Sequence, residues 1–411
     1  MKKKLLLTTV GVMLVTSIVI VSLTAPAYAV TKWRYQSMWA PSITLWRPDK
    51  YLGDMMNILA AGELELQYFP GGTLITRSDE IFDAVSKGTL EMSTDWPSYW
   101  EGKNTAFGLF TSFPSWFAPG DYMIWFWQAG GLELGQELYH KYGIHWFPHS
   151  VTGPESGHHS IRPVRTGADY KGLKIRQCGR IQAKILNDLG ASAIFMPGAE
   201  VYLALSRGTV DAAEFSVPEV NWAMGVQEVT KYVEFPGFHQ PGPVSGIIIN
   251  KKAFDKLPDR VKFMFKEAAM ATMMWSYTFF ESSSSVYMKK FKEKGTEFSR
   301  IDQPTLDKVQ ELCHKYIAAD AEANPDFAKV AFSQAKFLKD IDQWRTLQVP
   351  FSYGRTPKGL NELYLKLEAT AKKHKVYDSV IDLEKTVQKR MEKQDFWKPG
   401  TPYVESPITP K

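Results

Sequence analysis

From Val30 onward, short apolar runs of β character alternate with longer stretches whose apolar residues recur at helical spacing. That alternation is the mark of an α/β fold. Residues 32–38, 64–69 and 90–94 read as strands. Residues 49–61 and 79–87 read as the helices between them, the first stopped by Gly62. Asp121 caps a longer helix carrying Trp125 and Trp127 and ending near Gly143, and 144–147 returns as a strand.

A second set begins near Thr152. Residues 158–161, 173–177, 193–196 and 210–215 read as strands. Helices over 180–189 and 200–207 close at Gly190 and Gly208, and Val217-Pro218 opens another through Met224. The run 246–250 is a short apolar strand that crosses back to the first set. The two sets echo each other: 83–91 and 203–211 both end a helix at Gly and start a strand two residues later. A true pseudo-repeat and the common α-to-β turn both account for that echo.

Past Leu257-Pro258 the pattern becomes helical. About 37 residues pass without another Pro, up to Gly295. Unbroken, they would span roughly 55 Å, with a bend expected at the serine run 282–285. Pro304 opens a further helix, Asn324-Pro325 breaks it, and helical spacing continues to Glu392 before a Pro-rich tail. The resulting divisions are a leader 1–29, α/β lobes over 30–151 and 152–243, and a crossover strand segment 244–256. A helical brace with C-terminal helices covers 257–395, and an extended tail 396–411.

Composition narrows the classes. With 44% hydrophobic and 23% charged residues over 411 positions, disordered, collagen-like and coiled-coil chains are excluded. Lys2, Lys3 and Lys4 precede an apolar run 5–23 and then Ala27-Tyr28-Ala29. This is the order of a cleavable secretory signal, with Val30 as the mature start and an extracytoplasmic destination. An uncleaved anchor is the competing reading, because the run could nearly span a bilayer. Without the three leader lysines, 46 basic residues face 44 acidic ones, so neither nucleic acid nor anionic lipid is called for. Two cysteines, Cys178 and Cys313, exclude a disulfide framework and a Cys-rich zinc module, and leave a single bridge open.

Motifs of catalysis are missing: there is no G-x-S-x-G, no P-loop and no G-x-G-x-x-G after a strand. His145 and His149 are four apart, but Pro148 breaks the helix that would align them. With the adjacent His158 and His159 they read as packing or surface residues. Arg176 is more informative. It ends the strand-like Gly172-Leu-Lys-Ile-Arg176 just before a Gly-containing turn and a helix, where open α/β sheets bind ligands. A guanidinium there can grip a carboxylate bidentately, or make a salt bridge between lobes. Glu214-Phe215 likewise ends a strand, where a carboxylate can coordinate a hard cation or cap the next helix.

Several stretches stand in a familiar order: Tyr99-Trp-Glu-Gly-Lys103, Thr152-Gly-Pro-Glu155-Ser-Gly157, Asp169-Tyr-Lys-Gly-Leu-Lys-Ile-Arg176, Val210-Asp-Ala-Ala-Glu214-Phe215 and Phe235-Pro-Gly-Phe-His-Gln-Pro-Gly242. With 82–88 and 197–208 they resemble the solute receptors of tripartite ATP-independent periplasmic (TRAP) transporters, in the 2-oxo acid and lactate branch, over roughly residues 33–383. The resemblance implies an α/β, two-lobed periplasmic-binding-protein clamshell, type II-like, with a long helical brace and helical C-terminal region. It implies no catalysis and no catalytic cofactor.

By the same resemblance, Arg176 pairs with a small organic monocarboxylate, and Tyr99 and Glu155 touch it, Glu155 standing where Gln is usual. Glu214, the Phe215 carbonyl and Gln240 match a site for Na⁺ or Ca²⁺, although Trp is commoner than Phe and Glu than Gln. Glu155 and Gln240 together keep the formal charge of the usual pair, moved across the site. The partners implied are the small and large membrane subunits, and a homodimer is compatible. A secreted metal-dependent enzyme, using Glu155 as base beside a metal at Glu214, is the rival class.

Overall fold

The computed structural model describes residues 30–349 together with Leu365, Ala369, Lys372, Tyr377, Asp378, Ile381 and Asp382. The leader, the tail and most of the helical reading beyond residue 349 lie outside them. Among the described residues no helix is long and apolar enough to cross a membrane.

Two sheets organise the chain. In the first, β1 (Thr31–Gln36) runs parallel to β2 (Leu64–Phe69) and to β3 (Met92–Asp95), and α1 (Trp46–Leu59) and α2 (Ile81–Ser86) make the connections. The helix expected over 121–143 is instead two, α3 (Pro119–Gln128) and α4 (Gly131–His140). Gly130 between them sits at φ 84°, a left-handed conformation that Gly adopts without strain. β4 (Ile144–Val151) completes the outgoing path toward the second sheet.

The second sheet holds β5 (His159–Ser160), β6 (Lys174–Arg176), β7 (Ser192–Ile194), β8 (Ala212–Ala213) and β9 (Tyr232–Phe235), with α5 (Arg180–Asp188), α6 (Val201–Ser206) and α7 (Pro218–Ala223) between strands. The chain then returns through β10 (Val244–Asn250), which pairs antiparallel with both β3 and β4, as the crossing expected of residues 246–250 requires. β10 is buried along its whole length. Ile248 faces one apolar cluster while Ile247 and Ile249 face another, which explains a run without polar alternation.

After α8 (Lys251–Asp255), α9 (Asp259–Glu293) runs 35 residues without a break. The serine run does not interrupt it. The Ser283 and Ser284 hydroxyls donate to the Phe280 carbonyl, so they are absorbed within the helix. α9 braces both lobes: Trp275 stacks on Tyr51 of α1 at 4.5 Å, and Phe291 meets Trp222 of α7 at 5.2 Å. Between them Ser276 grips the crossing, its Oγ accepting from the Val151 N–H at 3.0 Å. β11 (Glu297–Arg300), unanticipated like β9, pairs parallel to it and gives the second sheet the order β11-β9-β5-β8-β6-β7. α10 (Gln303–Ala323) and α11 (Pro325–Gln348) follow.

The first lobe is packed with rings around one acid. Asp95 accepts from the Trp100 and Trp146 indoles and the Tyr139 hydroxyl, all buried. Burial outweighs these donors and pushes the Asp95 carboxyl up to about 7. An unfolded Asp ionises near pH 4, so this group's stabilising contribution is complete below that point and is lost as pH rises toward 7. The expected slope is about 1.4 kcal/mol per pH unit. We predict that the stability difference between the parent and Asp95→Asn, measured by urea unfolding, shrinks between pH 4 and pH 7. A difference independent of pH would contradict it.

Candidate functional site

Parallel pairing brings the site together. Arg176 is the last residue of β6, in register with Ala213 of β8, so Glu214 and Phe215 leave the sheet beside it. Both acidic and basic side chains are almost fully buried, Arg176 at 1% exposure and Glu214 at 0%. Arg176 Nη1 donates to Glu214 Oε1 at 2.8 Å and to the Glu214 carbonyl at 3.0 Å. Its Nε and Nη2 each donate to the Met196 carbonyl at 3.1 Å. The Phe215 ring lies 5.4 Å from the guanidinium carbon. Gly198 is required behind it, because a Cβ there would meet the ring at 2.3 Å.

Glu214 is oriented further by the Cys178 N–H and by Gln177 Nε2 at 3.2 Å, both on Oε1. Gln177 is held in turn by His158 Nε2 at 3.0 Å, and His158 Nδ1 by Glu234 at 2.5 Å. Burial works against a proton on His158, but the Glu234 charge outweighs it and raises its pKa. Burial also lifts Glu214 above the usual carboxylate range, with Arg176 opposing that lift.

Two loops of the second lobe complete the cluster. Glu155, after β4, and Gln240, after β9, are joined by the Glu155 N–H donating to the Gln240 carbonyl at 3.2 Å. The Gln240 side-chain amide stands 3.2 Å from both Glu155 carboxylate oxygens, so its nitrogen faces them. His239 Nε2 lies 3.2 Å from Glu155 Oε2 and 3.9 Å from Glu214 Oε2. Burial, and after it the Glu214 charge, holds the Glu155 carboxyl well above its usual range. Burial drives His239 well below 6.5.

Among the described residues, Glu155, Glu214 and His239 stand close enough to hold a metal ion, their ligand atoms all within 4.8 Å. Glu214 Oε2 and His239 Nδ1 are buried without a hydrogen-bond partner. Two adjacent buried carboxylates with an orphaned oxygen are a donor set that suits a cation.

Tyr99, on the turn Pro97–Trp100 of the first lobe, faces this cluster. With Trp39 and Trp96 it closes a cavity of about 10 Å³ over Arg176, Phe215 and Gln240. All six residues expected of the site therefore meet between the lobes, although Gln240 attends Glu155. His239, Trp39 and Trp96 were not anticipated. His239 stood inside the stretch 235–242, one place from a residue already singled out. The other histidines pack as expected: His149 meets Asp49 at 2.9 Å, His145 stacks on Phe254 and His159 meets Asn221 at 3.2 Å. Cys178 and Cys313 are both free and buried, so no bridge joins them.

The strand-end Arg176 thus lines a small cavity between the two lobes. The sequence profile of the bacterial extracellular solute-binding proteins, family 7 (DctP), matches residues 38–323, and the chain belongs to that family. Its members are receptors and not enzymes, which removes the rival reading. A monocarboxylate 2-oxoacid-binding periplasmic protein of Nostoc is 26% identical over 313 residues, covering 76% of this chain and 85% of that protein. A TRAP solute-binding protein of Bordetella bronchiseptica, a dimer with copurified calcium and picolinate, aligns with TM-score 0.74 and 26% identity over 84% of this chain and 99% of its own. One from Pseudoalteromonas atlantica, with sodium and pyruvate, aligns with TM-score 0.74 and 26% identity over 80% and 100%.

Because Glu155 is buried beside Glu214, the folded metal-free protein disfavours its ionised form. Glu155→Gln should therefore be the more stable protein at pH 8 in chelator, by about 1 kcal/mol or more. The gain should be smaller at pH 5 and vanish below about pH 4, where the carboxyl of the unfolded chain is protonated as well. Chemical denaturation at both pH values checks this, and a larger loss at pH 8 than at pH 5 would contradict it.

Proposed function

We propose that this chain is the periplasmic receptor of a TRAP transporter, exported by cleavage after Ala29, that binds a small 2-oxo or 2-hydroxy monocarboxylate through Arg176. The observation that carries the reading is the position of Arg176: buried, at the carboxyl end of β6, lining the closed cavity under Tyr99 and Trp39. Four of its five N–H bonds are used within the protein, leaving one Nη2 donor for a ligand carboxylate. Glu155 beside a bound anion is repulsive unless a cation lies between them or the acid keeps its proton. The neighbouring receptors hold sodium or calcium with their carboxylates. Here Glu155, Glu214 and the Phe215 carbonyl would supply oxygen ligands, and the ion would offset the charge of the acids.

A cavity of about 10 Å³ has room for about one water, so a carboxylate enters only when the lobes part. Thr44, in the turn before α1, donates from Oγ1 to Glu219 at 2.7 Å, and Arg47 of α1 stands 3.5 Å from the same carboxylate, which joins this end of α1 to α7 across the cleft. The hinge is assigned to the paired crossings, where Val151 faces Val244 and the Thr152 N–H donates to the Pro243 carbonyl at 3.3 Å. The closed, loaded form is the one delivered to the small and large membrane subunits.

The test begins with a thermal-shift panel of 2-oxo, 2-hydroxy and aromatic monocarboxylates, followed by calorimetry on the strongest. Arg176→Ala should abolish binding. Arg176→Lys should weaken it at least thirtyfold, since truncating a buried charge pair costs about 2–5 kcal/mol and Lys lacks the planar fork. Near-parental affinity in a folded Arg176→Ala would overturn the assignment.

Scattering reads the motion independently. The radius of gyration should fall on saturation with the same acid at fixed oligomeric state. An unchanged profile would contradict a hinged receptor.

A further inference from the structure

The ion beside the carboxylate can be specified from the donors that surround it. We propose that Glu155, Glu214 and His239 bind a divalent first-row transition ion, of the Zn²⁺ or Co²⁺ class, in preference to Na⁺ or Ca²⁺. This deepens the receptor reading, on which it rests for the place of the carboxylate.

The three side chains come from separate loops after β4, β8 and β9, and converge with exposures of 2%, 0% and 1%. His239 Nε2 stands 3.2 Å from Glu155 Oε2 and 3.9 Å from Glu214 Oε2. Ligands held at 2.0–2.2 Å around a tetrahedral ion are about 3.4 Å apart, a spacing that these distances bracket. An imidazole nitrogen suits a borderline ion, whereas Na⁺ and Ca²⁺ take oxygen.

The substitution pattern works in the same direction. Gln240 turns its amide nitrogen to Glu155, so position 240 supplies no carboxylate and His239 is the third donor at hand. Gln177 and the Cys178 N–H hold Glu214 Oε1, leaving Oε2 without a partner. Such outer contacts orient a ligand for its metal. Glu155 also lines a groove of about 660 Å³ that carries Glu281 of α9 and Asp307 of α10, an acidic route of entry for a cation.

The experiment uses the full chain stripped with chelator, titrated with Co²⁺, Ca²⁺ or Na⁺ alone and no organic acid. One Co²⁺ per chain should bind, with visible d–d bands, at least tenfold more tightly than Ca²⁺. His239→Gln should lose more than tenfold in Co²⁺ affinity and change Ca²⁺ affinity by less than threefold. If that variant fails to fold, pulsed EPR of the Co²⁺-loaded parent should detect coupling to an imidazole nitrogen. Tighter Ca²⁺ or Na⁺ binding, unchanged Co²⁺ affinity in His239→Gln, or no nitrogen coupling overturns the inference and leaves the carboxylate receptor standing. Co²⁺ held through His239 in a protein that binds no monocarboxylate overturns the receptor reading instead.

Discussion

A guanidinium and a carboxylate taken out of water lose several kcal/mol of hydration each, and only close pairing with further hydrogen bonds recovers it. Arg176 and Glu214 are such a pair, bonded at 2.8 Å with both side chains inside the protein. The parallel register of β6 and β8 is what allows them to leave the sheet together. Neither can be moved without leaving the other unpaired, so the floor of the cleft is rigid. Under the proposed function, rigidity is useful there, because a carboxylate would meet a donor whose entropy is already spent.

The surroundings follow from that pair. Phe215 covers one face of the guanidinium, and only Gly at 198 leaves room for its ring. The sequence Glu234, His158, Gln177, Glu214 carries hydrogen bonds from the far side of the second sheet to the acid. It fixes Oε1 and leaves Oε2 toward Glu155 and His239. Opposite stands a wall of rings from the first lobe, Trp39, Trp96 and Tyr99, which narrows the cavity over Arg176. A low-dielectric lid strengthens the polar contacts beneath it. α9, packed against both lobes, holds the two halves in one frame beside the paired crossings of β4 and β10.

Much of this was legible in the chain. The α/β alternation, the return strand in the first sheet and the long brace follow from periodicity and from the placing of Gly and Pro. Arg176 showed itself by ending a strand before a Gly-containing turn. What escaped were features set by distant neighbours. β9 and β11 carry Glu234 and Arg300 and lack clean alternation; their pairing supplies the reason for the strand. The single helix expected from Asp121 to near Gly143 ran through the break at Gly130, and the serine run stays within one helix through side-chain bonding back to Phe280 that cannot be read locally. His239 and Glu155 are 84 residues apart, and only the fold makes them neighbours.

The central claim is that, once Glu155 is ionised, the buried acids admit a carboxylate only with a cation to separate the charges. It is tested most directly by calorimetric titration of the strongest monocarboxylate into chelator-stripped protein, repeated after Ca²⁺ or Co²⁺ is restored. The account predicts no measurable heat of binding in the stripped protein at pH 8 and saturable binding once an ion is present. Equal affinity in the two titrations would contradict it.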